Sequence, residues 1–255
     1  MKSFIISLAK EAGKILKAGY YKTKTISSKG SQGIVTDTDI RAETAIIKRI
    51  KKRYPMHSIL CEESGTHIKS GAEYLWIIDP LDGTTNFAHN NTAFCTSIAL
   101  FHKNNPLYGA VYSPITDEFF FAERGKGATL NGRKIRVSRN SLRNALLCTG
   151  FAYKRDRSMF SNLDVIGNIL RKGAQGIRLD GSAALDLCYV ACGKYDCFWE
   201  SNLSPWDIAA AALIAEEAGA RVTDFKKNKW QLHGKEIIAS NKNIYDDVLK
   251  VLKRK

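Results

Sequence analysis

The stretch Trp76-Ile-Ile-Asp-Pro-Leu-Asp-Gly-Thr-Thr-Asn-Phe87 drives an apolar run into two aspartates three positions apart, then into a glycine and two hydroxyl residues. Tyr74 to Ile78 reads as a strand, and it runs directly into Asp79. Two carboxylates on one tight turn repel each other, so a fold that keeps both ionised normally supplies a cation beside them. A plainer reading also fits, in which Asp79 opens a Pro-containing turn and Asp82 or Thr84 caps the next helix. The choice depends on how many other acids the chain sends to the same place.

Two more acids sit where ordered chain becomes a turn. Ser58 to Cys61 is a short strand that runs into Glu62 and Glu63, and Asp207 follows Ser204-Pro-Trp at the first turn of a helix. Each has a purely structural use, Glu62 or Glu63 on a solvated turn and Asp207 beside the positive end of a helix dipole. Together they describe a site, because α/β proteins place sites at strand ends and helix starts. Carboxylate oxygens with a main-chain carbonyl at Leu81 form the hard donor set of magnesium or manganese; histidine and thiolate are missing from the motifs, which argues against zinc. Gly83-Thr84-Thr85, a glycine before a helix start, offers N–H groups to an anion. Acids that hold cations beside amides that hold an anion point to metal-assisted phosphoryl transfer, with two metals to activate the water and stabilise the leaving oxygen. The haloacid-dehalogenase pattern Asp-x-Asp-Gly-Thr is excluded by the extra residue between Asp79 and Asp82.

The 255-residue chain is long enough for one large domain or two modest ones. Phe4 to Leu8 is too short for an export signal, and no run approaches the ~18 apolar residues of a membrane span. The six cysteines form no C-x-x-C pair, so reduced thiols in a cytoplasmic protein are expected. Cys188, Cys192 and Cys197 fit core positions. A net charge of +14 favours an anionic partner without choosing among a phosphorylated small molecule, nucleic acid and an acidic protein. The runs Lys48 to Arg53 and Lys250 to Lys255 read as solvated helix faces.

Periodicity gives an amphipathic first helix through Ile5, Leu8, Ala12 and Leu16, a loop over Lys22 to Gly33, and a second helix capped by Val35-Thr-Asp-Thr-Asp39 whose Ile40, Ile47 and Ile50 face inward. Strands at 94–100, 108–112 and 118–122 and a hairpin at Asn131-Gly132 make an antiparallel meander. After Ser141, strands and helices alternate, so the fold class is layered α/β, helices packed on sheets.

These motifs resemble the inositol monophosphatase superfamily of magnesium-dependent, lithium-sensitive phosphatases. The resemblance covers nearly the whole chain: Val35-Thr-Asp-Thr-Asp39, Glu62-Glu-Ser-Gly65, Trp76 to Phe87, Gly125-Lys-Gly-Ala128 with Asn131-Gly132, Gly181-Ser-Ala-Ala184 and Pro205-Trp-Asp-Ile-Ala-Ala210. It implies a layered αβαβα sandwich, an α+β half over 1–140 that carries metal motifs and an α/β half over 141–255 that completes the site, assembled as a homodimer. It implies that Glu62, Asp79 and the Leu81 carbonyl bind a first Mg2+, that Asp79, Asp82 and Asp207 bind a second, and that a weaker third lies near Glu62. Thr84, through Asp39 or Glu62, would deprotonate the attacking water; the Gly83 and Thr84 N–H groups would hold phosphate; Gly181, Ser182, Ala183 and Glu200 would contact the alcohol. Inositol 1-phosphate is the expected substrate, followed by fructose 1,6-bisphosphate, with Arg178 suited to a second phosphate, and then 3'-phosphoadenosine 5'-phosphate. A role with RNA or the transcription machinery has no motif behind it. One departure is visible: family members commonly follow Asn-Phe with His-Gly-x-Pro, whereas His89 here precedes Asn90-Asn91-Thr92.

Overall fold

The computed structural model describes residues 1–30, 33–151 and 157–253, so the last two residues of the basic C-terminal run lie outside the described residues. The outer layer consists of α1 (Lys2–Tyr20) and α2 (Asp37–Arg53), linked by an antiparallel ribbon of β1 (Ile26–Ser28) and β2 (Ile34–Thr36). The ribbon corrects the expected loop over 22–33: β1 is three exposed residues, with no buried face to set up an alternation. α1 buries Ile5, Leu8, Ala9, Ala12 and Leu16 on one stripe.

α2 starts in a capping box. Thr36 is the N-cap and accepts from the Thr38 N–H, while Asp39 at the third helical position accepts from the Thr36 N–H at 3.0 Å. Ile40 does not face inward as its spacing suggests; it is 53% exposed. The buried stripe is Thr38, Asp39, Ala42, Glu43, Ile46 and Ile50, so two carboxylates stand where periodicity would place apolar side chains.

The helices cover an eight-stranded sheet built from β3 (Ser58–Cys61), β4 (Gly65–His67), β5 (Tyr74–Asp82), β6 (Cys95–His102), β7 (Asn105–Ser113), β8 (Glu118–Glu123), β9 (Gly127–Leu130) and β10 (Arg133–Lys134). The strand order is β10-β9-β8-β7-β6-β5-β3-β4, with β5 parallel to β3 and antiparallel to β6. Asn131 and Gly132, both at positive φ, turn β9 into β10 as the hairpin reading requires. β5 continues through α3 (Thr84–Ala88), the short helix that opens on Gly83.

The second sheet joins β11 (Leu146–Thr149), β12 (Gly176–Arg178), β13 (Cys197–Ser201), β14 (Arg221–Thr223) and β15 (Glu236–Ser240) in the order β12-β11-β13-β15-β14. Its outer face carries α4 (Arg157–Arg171) and α7 (Tyr245–Leu252), which enclose Val165, Ile169, Trp199, Tyr245 and Leu249. Between the sheets run α5 (Ala183–Ala191) and α6 (Pro205–Glu217), buried on nearly every side, which completes five layers in the order α, β, α, β, α. Ala209 to Ala212 let α6 approach the first sheet at backbone distance. Gly109 in β7 is what permits it: a Cβ there would lie 2.5 Å from the Ala210 carbonyl oxygen. Because that neighbour is backbone and cannot swing away, Gly109→Ala is expected to cost about 1–3 kcal/mol of stability, read from urea unfolding. All six cysteines are free thiols, and among the described residues no helix is long and apolar enough to cross a membrane.

Candidate active site

The carboxyl end of β5 opens a cleft of ≈ 330 Å³ between the two sheets. Its walls include Glu62, Asp79, Leu81, Asp82, Gly83, Thr84, Gly181, Ala183, Glu200 and Asp207, so residues from three stretches far apart in sequence reach one place. Local backbone explains each arrival. The β5–β6 register slips between Asp79 and Asp82, and the bulge turns both carboxylates away from the ladder while the Leu81 N–H bonds Asp79 Oδ1 at 3.0 Å. Gly83 sits at φ 87°, the left-handed turn that lets α3 start at once. Glu62 is held next to Asp79 by its own N–H, which donates to the Ile78 carbonyl at 3.2 Å. Asp207 is the third residue of α6 after Pro205 and closes a capping box, accepting from the Ser204 N–H at 2.7 Å.

Thr84 Oγ1 lies 3.1 Å from Asp39 Oδ1 and 3.0 Å from the Leu81 carbonyl oxygen. Asp39 divides its oxygens: Oδ2 serves the α2 cap and Oδ1 faces Thr84. Asp82 Oδ2 accepts from the Ser182 hydroxyl at 2.6 Å and the Ala184 N–H at 2.8 Å. Ser182 therefore faces Asp82 and lies behind the cleft wall, not on it. Glu200 enters from β13 and packs its carboxylate against Gly150, where a Cβ would lie 2.2 Å from Glu200 Oε2. Arg178 is exposed and one residue short of Leu179, which does line the cleft.

Burial and mutual repulsion set the charges. Asp79 is pushed well above the usual carboxylate range by burial and then by Glu62, Asp82 and Asp207. Burial also raises Asp82 to about 6, against the Ser182 and Ala184 hydrogen bonds, and raises Asp207 to about 8 with help from Asp82. Glu200 rises to about 8 for the same reasons. Asp39 is raised by burial in spite of its bonds to Thr36 and Thr84. Such a cluster is short of positive charge, and its donors are hard oxygens; the residues fit a divalent cation of the magnesium type. Among the described residues no three acidic, cysteine or histidine side chains already close on a common point. Glu62 Oε1 is 2.7 Å from the Lys29 ammonium, which also lies 2.8 Å from Glu63 Oε1.

Three residues near the site escape sequence reasoning. Lys29 comes from a stretch read as loop. Asn86 donates to the carbonyls of Ala93 and Asp180, tying α3 to the turn before α5. Glu43 receives the Glu63 and Ser64 N–H groups. Only Asn86 had a visible signal, its place inside the stretch 76–87.

The sequence model of the inositol monophosphatase family matches residues 1–255. The chain belongs to the inositol monophosphatase family. It is 44% identical over 247 residues to the putative Nus factor SuhB of Neisseria meningitidis, covering 96% of this chain and 94% of that one. It is 42% identical to the inositol-1-monophosphatase of Synechocystis, covering 91% of this chain and 81% of that one. The solved inositol monophosphatase from Anabaena superposes with a TM-score of 0.86 at 39% identity, over 98% of this chain and 94% of that one. An IMPase/NADP phosphatase complexed with Mg2+ and phosphate gives 0.86 at 26% identity, over 100% and 95%. Membership makes this inositol monophosphatase homologue a phosphatase.

Proposed function

We propose that the chain is a homodimeric enzyme that hydrolyses phosphate monoesters of small polyols, inositol 1-phosphate first, with Mg2+ as cofactor and Mn2+ as a substitute. The observation that carries this reading is the meeting of Glu62, Asp79, Asp82 and Asp207 in one cleft with the N–H groups of Gly83 and Thr84. Glu62, Asp79 and the Leu81 carbonyl would hold one ion, Asp79, Asp82 and Asp207 a second, and Glu62 a weaker third. The chemistry such ions would supply when bound is a lowered pKa for the attacking water and a sink for charge on the leaving oxygen.

The protein's own part is orientation and proton movement. The Gly83 and Thr84 N–H groups orient the phosphate. A threonine hydroxyl is too weak a base to work alone, so Thr84 accepts the proton of the attacking water as its own passes to Asp39 Oδ1, which burial has made a better acceptor. Gly181, Ala183 and Glu200 face the hydroxyls of the alcohol, and Ser182 acts by fixing Asp82. Thr84→Ala is expected to lower kcat by about 10²-fold at saturating Mg2+, with Thr84→Ser recovering most of the loss. Steady-state kinetics on both variants checks it.

Substrate choice is tested by phosphate release from inositol 1-phosphate, fructose 1,6-bisphosphate, 3'-phosphoadenosine 5'-phosphate and NADP side by side. The last is included because one structural neighbour is an IMPase/NADP phosphatase. Fastest turnover of inositol 1-phosphate is the expected result. A folded sample that leaves it intact while hydrolysing another ester refutes the assignment.

A further inference from the structure

Resting on the metal-site reading above, we infer that Glu43 is a positioning residue for cation binding, gripping the backbone of the turn that presents Glu62. Glu43 is 3% exposed and lies one helical turn after Asp39 on the buried face of α2. Its two oxygens are used separately: Oε2 accepts the Glu63 N–H at 2.9 Å and Oε1 accepts the Ser64 N–H at 2.8 Å. On the other side of the same turn, the Glu62 N–H is fixed to the Ile78 carbonyl of β5. The peptide carrying Glu62 is thus clamped between a strand and a helix.

The same helix reaches the other end of the cluster. Asp39 holds Thr84, which in turn contacts the Leu81 carbonyl. Residues four apart are separated by about 6 Å along a helix axis. α2 therefore works as a rigid bar, with one carboxylate on the proton-relay threonine and the next on the Glu62 turn. It fixes the distance between donors that arrive from β3 and β5 independently. The Glu43 carboxylate is buried while Glu63 is half-buried and Ser64 exposed, so the grip is made from the protein side of the turn and its loss frees the turn's backbone to move.

Glu43→Gln tests this with little change of shape. Its amide oxygen can serve one N–H, but its NH2 then faces the other, donor against donor. Residues that orient metal ligands typically control 10–100-fold in metal affinity. Mn2+ binding to the apo-protein, followed by electron paramagnetic resonance of the free ion, should accordingly weaken by about 10–100-fold in Glu43→Gln. The Mg2+ concentration giving half-maximal phosphate release should shift in parallel, with kcat at saturation falling much less. If Glu43→Gln does not fold, Glu43→Asp, which keeps the charge but is one methylene too short, serves in its place. Unchanged Mn2+ affinity with a lowered apo melting temperature would make Glu43 a structural residue and overturn the inference alone. No Mn2+ binding by the parent protein would instead overturn the metal-site reading, and the inference with it.

Discussion

Asp82→Asn is expected to lower kcat by about 10³-fold or more while leaving the metal-free protein more stable than the parent at pH 8. The first half follows from charge. Asparagine keeps the shape and can still accept from Ser182 and Ala184, because both bonds converge on a single oxygen, Oδ2. What it loses is the negative charge facing Asp79 and Asp207, worth several kcal/mol when a cation and a developing negative charge share the cleft. The second half follows from the raised pKa. A carboxyl whose folded pKa lies above its unfolded value imposes no penalty below pH ~4 and an increasing one as pH rises through the folded value. For Asp82, raised to about 6, the penalty is about 3 kcal/mol above that pH. Asp207, raised to about 8, extends the window upward. The apo-protein should therefore lose stability between pH ~4 and pH 8, and Asp82→Asn should flatten the part of that slope below pH ~6. Thermal unfolding in chelator at both pH values measures it, and a stability gain on raising the pH would oppose this assignment of charges.

Gly83→Ala is the second large effect, with about 2–4 kcal/mol lost from stability and at least about 10²-fold from kcat/KM. Gly83 stands at φ 87°, which a side chain rarely adopts, and a Cβ there would lie 2.7 Å from the Ala93 carbonyl oxygen and 3.3 Å from the Phe94 Cα. Both neighbours are backbone, so relief must come from moving the turn itself. That turn carries Asp82 on one side and Thr84 on the other, and a shift of about 1 Å at reacting groups is enough for a loss of this size. Urea unfolding and kinetics on the same preparation give both numbers. A folded variant with normal kcat/KM would show that the turn has no part in holding substrate.

The sequence made these residues visible for a physical reason. A strand that ends in acids, a glycine at a helix start and a Pro-Trp-Asp helix entry are local patterns, and the bulge at Asp79 to Asp82 and the α6 capping box are local consequences of them. The layered fold was legible likewise, from alternation and from Asn131-Gly132. Glu43 and Lys29 were not, because their partners lie at least 20 residues away and, for Glu43, are backbone N–H groups that leave no mark on a sequence. Ile40 misled for a related reason. A helix whose buried stripe includes Asp39 and Glu43 carries its functional carboxylates inward, and counting apolar residues alone rotates it the wrong way.

The central claim is that the cleft at the end of β5 is a divalent-cation phosphatase site. Its most direct test is a Mg2+ titration of the metal-free protein with inositol 1-phosphate, following phosphate release for the parent and for Asp82→Asn. The expected result is no release in chelator, a saturable rise with Mg2+ in the parent, and almost none in the variant. Equal release with and without chelator, or an undiminished rise in Asp82→Asn, would contradict it.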